Sequence, residues 1–108
     1  MPKYLFQASY NSEGVKGLMK DGGSGRRAAV EQLMKGLGGR LDAVYFAFGD
    51  VDAFVIADVP GNGDAAAVAL AANATGVMHV KTTVLLTPEE MDQTTKKAVN
   101  FRPPGRSI

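Results

Sequence analysis

The sequence predicts an α+β fold of the ferredoxin-like kind: β-α-β-β-α-β, a four-stranded antiparallel sheet with both crossover helices on one face, plus an extra C-terminal helix. Three observations predict it. Stretches rich in β-branched and aromatic residues alternate with stretches at helical spacing, in that order. The two middle strands are joined only by Gly49-Asp50-Val51-Asp52, a link that fits an antiparallel hairpin. A chain of 108 residues has room for one core and not two.

Each element has its own signal. Residues 3–10 are aromatic-rich and read as a strand. Asn11 or Ser12 can cap a helix over 13–20, with Val15, Leu18 and Met19 on one face. Asp21-Gly22-Gly23-Ser24-Gly25 is expected to interrupt it as a loop, because three glycines cost a helix interior too much backbone entropy. A helix over 26–37 follows, where Val30, Leu33, Met34 and Leu37 form one stripe, and Gly38-Gly39 ends it. The second strand, 40–48, places Val44, Phe46 and Phe48 against Leu41, Ala43, Tyr45 and Ala47. The third, 53–59, places Phe54 and Ile56 against Val55, Ala57 and Val59. Pro60-Gly61-Asn62-Gly63 stops it, and Asp64 is expected to cap an alanine-rich helix over 65–73. A fourth strand spans 77–86. Thr87-Pro88-Glu89-Glu90 then sets threonine at the cap, proline first and glutamate third, for a helix to about Val99. The domain is expected to cover 1–99, with 100–108 a loose tail.

The strands alternate poorly, so both faces of the sheet centre are apolar, and two helices cover only one. The remainder would leave a patch larger than monomers tolerate. The expectation is a homodimer or higher homo-oligomer with sheets packed face to face, a dimeric α/β barrel. The alternative is that the terminal helix folds back over the open face.

Composition excludes several classes. Lys plus Arg is 12 and Asp plus Glu is 11, which argues against a nucleic-acid surface. The basic C-terminus (Lys96, Lys97, Arg102, Arg106) has no interleaved stacking aromatics and reads as a solvated end. There is no cysteine, hence no disulfide or thiolate site, and one histidine cannot form a histidine cluster within a subunit. No apolar run reaches membrane-spanning length, and Met-Pro-Lys-Tyr-Leu-Phe-Gln is not a signal peptide. The expected location is the cytoplasm.

Two segments, Gly23–Ala28 and Gly61–Ala66, fit G-x-G-x-x-[GA], but the first follows a helix and the second lacks the acidic residue further on. Both read as turn and cap chemistry. The Gly22–Gly25 loop with Arg26 and Arg27 has the groups to hold a phosphate or carboxylate, although a solvated loop is the simpler reading. His79 shares a strand face with Lys81 and Thr83. Gln7 and Ser9 give the neighbouring first strand a similar polar side, and Tyr45 is a further candidate for that lining. His79 is therefore the candidate proton-transfer base, with Tyr45 orienting a substrate oxygen. A hydrogen-bonded interface histidine is the simpler role, and haem or metal ligation by one histidine is weakly supported. Asp50, Asp52 and Asp58 cluster near the hairpin, where carboxylates usually accept backbone N–H groups rather than hold a cation.

Ser9 through Lys16, Arg26-Arg27-Ala28-Ala29-Val30, Gly38-Gly39-Arg40-Leu41, Tyr45 through Asp52, Pro60 through Ala67 and Thr87-Pro88-Glu89-Glu90 together resemble the GYD domain family over about residues 3–92. Gly49 and Asp52 occupy the family's named glycine and aspartate. Val51 stands where its tyrosine falls, so any role of that hydroxyl is absent here. The resemblance implies a ferredoxin-like protomer of the dimeric α/β-barrel class. The expected function is a homo-oligomer binding a small molecule without a cofactor, through Gln7, Ser9, Tyr45, His79 and Lys81. It would be a cofactor-independent oxygenase or isomerase, or else a non-enzymatic sensor or assembly module.

Overall fold

In the computed structural model, which describes residues 1–106, the order is β1 (Lys3–Tyr10), α1 (Ser12–Gly36), β2 (Arg40–Phe46), β3 (Ala53–Asp58), α2 (Asn62–Ala74), β4 (Met78–Leu85) and α3 (Pro88–Thr95). The sheet order is β2-β3-β1-β4, every neighbouring pair antiparallel. Each helix carries the chain over one strand position, so β3 fills the gap between β1 and β2, and β1 the gap between β3 and β4. This is the ferredoxin-like arrangement that the element order predicts.

The register sorts side chains onto two faces. Tyr4, Phe6 and Ala8 lie beside Ala57, Val55 and Ala53, and all six are buried. Val80 on β4 and Val44 on β2 extend this face. Val30, Met34 and Leu37 of the predicted α1 stripe cover it, together with Ala65, Val68, Ala69 and Ala72 of α2, whereas Leu33, the fourth residue of that stripe, is exposed. The buried Tyr4 hydroxyl donates to Asn62 Oδ1 at 2.6 Å, which satisfies a phenol otherwise surrounded by carbon. The Val80 N–H, on an edge strand, donates to Asn73 Oδ1 of α2 at 2.7 Å.

No crossover helix lies over the opposite face. Its central rows are Ala43–Ile56–Leu5–Thr83 and Tyr45–Phe54–Gln7–Lys81. The C-terminal helix does not clad it either: every residue from Pro88 to Arg106 is exposed. The molecule is drawn out as a result, to 58 × 32 × 22 Å with a radius of gyration of 17.3 Å, against about 13 Å for a compact chain of this length. Among the described residues, no helix is long and apolar enough to cross a membrane.

Several boundaries differ from the sequence reading. The predicted interruption is present but narrower than a five-residue loop: within α1 two helical segments meet across a kink at Gly22, at φ 73° and ψ 168°. Asn11 is the cap, its side chain accepting from Gly14 N–H at 3.0 Å. The helix α2 starts earlier than 65: Gly61 is the N-cap, and Asp64 lies in the first turn, where its charge opposes the helix dipole without capping. A bulge between Leu41 and Ala43 makes Asp42 the extra residue, so Leu41 opposes Ala57 and packs into the core while Ala43 faces the open side. The strand ends at Phe46, leaving Phe48 wholly exposed. The terminal helix keeps its full capping box but ends at Thr95 instead of Val99. The predicted tail reaches to 108, and its residues 107–108 lie outside the described part.

Candidate functional site

The helices α1 and α2 do not close over the middle of the sheet. Between them lies a cavity of about 280 Å³. Its closed end is carbon: Phe6, Met34, Val55 and Val68, all buried. Its open end is formed where β1 and β2 finish and β4 begins, by Tyr10, Arg26, Phe46, Thr75 and Met78. Small side chains make the space. Ala8 and Ala53 sit side by side in the sheet, and Ala71 and Ala72 face them from α2. Among the described residues Arg26 is the only charged one in the lining. It lies four residues before Val30 and eight before Met34, so it continues the buried stripe of α1 to the cavity mouth. The kink brings this turn against β2, where a Cβ on Gly23 would stand 3.4 Å from the Phe46 ring.

The hairpin beside the mouth is held by Asp52. Its carboxylate accepts from Tyr10 N–H at 2.7 Å, its carbonyl accepts from Ala47 N–H at 2.8 Å, and its own N–H donates to Ala8 O at 2.9 Å. Two of these bonds tie the β2–β3 connection to the end of β1, and the third closes the connection on itself. Asp50 accepts at its carbonyl from Ser9 Oγ at 2.7 Å. Asp58 is far along β3, paired with Lys3 at 3.0 Å and Arg40 at 3.1 Å. The three aspartates therefore do not converge on a common point, and among the described residues no group of three or more metal-ligating side chains does.

Asp58 belongs to an ion-pair network with Lys3, Arg40 and the bulged Asp42, which pairs with Lys3 and, at 3.3 Å, with Arg40. Hydrogen bonding to Asp42 and then Asp58 raises the Lys3 ammonium above its usual range. Hydrogen bonding to Lys3, with the charges of Lys3 and Arg40, holds the Asp42 carboxyl below the usual carboxylate range.

The five residues that the sequence assigns to ligand binding are all on the open face. Ser9 opposes His79 and Gln7 opposes Lys81, while Tyr45 stands in the Gln7 row, across Phe54. His79, Lys81 and Tyr45 are exposed. None lines the cavity, which is on the other side of the sheet. Sequence reasoning thus grouped these residues on one face and missed the cavity lining. The sequence reading pairs Arg26 with Arg27 as an anion-holding group; the signal that separates them is helical phase, which puts Arg26 on the stripe of Val30 and Met34 and so in the lining.

Searches of the curated proteins and of the solved structures return no match. The family model of the GYD domain matches residues 4–95, which takes in the whole sheet, both crossover helices and α3. With that match over most of its length, the chain belongs to the GYD domain family.

Proposed function

We propose that the protein is a homodimer whose protomers each bind a small, mainly apolar molecule in the cavity between the helices and the sheet. The cavity is the observation that carries this reading. A close-packed core of this size holds few spaces larger than a water molecule, whereas about 280 Å³ approaches the size of small-molecule sites. The second copy is the occupant of the open sheet face. Leu5, Phe54, Ile56 and Ala43 form its centre with no helix above them, and α3 offers a capped helix that packs on nothing within its own chain.

The placement of His79 and Tyr45 favours a sensor or assembly role over cofactor-free oxygenation or isomerisation. Both lie across the sheet from the cavity, so neither reaches a molecule held there. In the dimer they would line the contact between sheets, and a reaction using His79 as base needs its substrate at that contact.

Native mass spectrometry of gently purified protein tests the reading. The expected result is twice the 11.3 kDa protomer mass, with small-molecule adducts that are lost in Ala72→Leu, a variant that fills the pocket. A monomer, or adducts indifferent to Ala72→Leu, would count against it.

A further inference from the structure

The cavity's one charged group has no strong partner. Arg26 makes a single ion-pair contact, to Asp21 at 3.7 Å, which is too long for a hydrogen bond, and it donates no hydrogen bond to any described residue. Asp21 is itself well exposed and is not part of the lining. The guanidinium is a planar fork of donors, and its side chain is 30% exposed at the edge of a surface otherwise made of carbon. Of the other polar lining residues, Thr75 already donates its hydroxyl to Ala72 O at 2.7 Å, which leaves the Tyr10 phenol, besides Arg26 itself, as the side-chain donor in the lining.

This donor set selects a ligand. Among the described residues no carboxylate lines the cavity, so a cationic ligand would meet the Arg26 charge with no acid group in the lining to receive it. A neutral polar ligand finds few hydrogen-bonding partners. A carboxylate finds a bidentate one, in surroundings that weaken Coulomb interactions less than water does. Size sets the rest. A cavity of about 150 Å³ takes benzene, so one nearly twice as large takes roughly ten to twelve non-hydrogen atoms.

Resting on the binding reading above, we infer that the ligand class is an apolar monocarboxylate: its acid group docks on Arg26 at the mouth and its hydrocarbon body fills the floor made by Phe6, Met34, Val55 and Val68. The side chain of Arg26 thereby sets specificity, and the sheet and helices supply the apolar affinity. Arg27, on the exposed side of α1, takes no part.

Calorimetric titration with octanoate, 1-octanol and octylamine, three probes of one length that differ only in the head group, tests this. Octanoate is expected to bind the wild-type protein about tenfold or more tightly than 1-octanol, the margin of a charge-assisted hydrogen bond. Arg26→Gln should erase that margin while leaving 1-octanol affinity unchanged, and Arg27→Gln should leave both unchanged. Ala72→Leu should remove binding of both, since the body of the ligand loses its place. Equal binding of octanoate and 1-octanol, or preference for octylamine, would overturn the assignment while the cavity remains a binding site; octanoate affinity that survives Ala72→Leu would put the probe outside the cavity and overturn both. Failure of all three probes would overturn the assignment and the binding reading together.

Discussion

Single residues hold the ends of the sheet, and the bonds they make state how much each should matter. Asp52 spends its side chain on one backbone N–H, that of Tyr10. Asp52→Ala leaves that donor without its acceptor, and the expected loss is about 1–3 kcal/mol in urea denaturation. Asp52→Asn, which keeps an acceptor oxygen, should lose less. The preceding residue, Val51, takes no part in this clamp, so the hairpin is held here by the aspartate and by backbone. Lys3 and Asp42 give the protein a pH signature of definite sign. The folded Asp42 carboxyl titrates below 3.8, so its contribution is present above that value and is lost as pH falls through the lower folded value. The folded Lys3 titrates above 10.5, so its contribution is present below that value and is lost as pH rises beyond it. Wild-type stability should therefore fall more steeply than that of Asp42→Asn below about pH 4, and the two urea midpoints should converge there.

Elements were legible where periodicity was unambiguous and obscure where one residue changed phase. Strand β1 and the start of α3 follow directly from aromatic density and a capping box. The bulge at Asp42 was invisible, because an inserted residue in a strand leaves the composition unchanged and only reverses the side on which Leu41 falls. The glycine cluster in α1 marked a real break but overstated its length. Glycine propensity argues for a loop, but the apolar stripe from Val30 to Leu37 packs on the sheet and keeps the second half of the helix formed, leaving Gly22 alone out of line. Two glycines of this one helix should then answer oppositely to the same change. Gly17 is helical, with open space where a Cβ would go, and Gly17→Ala should stabilise by about 0.5–1 kcal/mol. Gly22 sits at φ 73° and ψ 168°, a backbone region essentially confined to glycine, and Gly22→Ala should destabilise by about 1–3 kcal/mol. Paired thermal melts check both signs. Of the site, the open-face cluster was readable from alternation, since Gln7, Ser9, His79 and Lys81 share a parity in neighbouring strands. The cavity was not, because the space between two helices depends on how far apart they settle, which no local pattern encodes.

At the scale of the molecule, the expectation that a sheet with apolar residues on both sides needs cover for each is met on one side only within the chain. The Leu5–Ile56 region and the exposed α3 arm are two unsatisfied surfaces of one protomer, and a second copy covers both under the proposed assembly. Ile56→Lys should dissociate it, leaving a folded 11.3 kDa particle in sedimentation velocity with an unchanged circular dichroism spectrum. Truncation after Leu86 should weaken association without unfolding the sheet, because every residue it removes from Pro88 onward to Arg106 is exposed in the protomer. The gap between α1 and α2 has a mechanical consequence as well. Unfolding hands its volume back to the solvent, so the protein should be unusually soft to hydrostatic compression, losing structure at lower pressure than the Ala72→Leu variant. A guest seated between the helices would stiffen it in the same way, which turns a high-pressure fluorescence cell into a label-free reporter of occupancy.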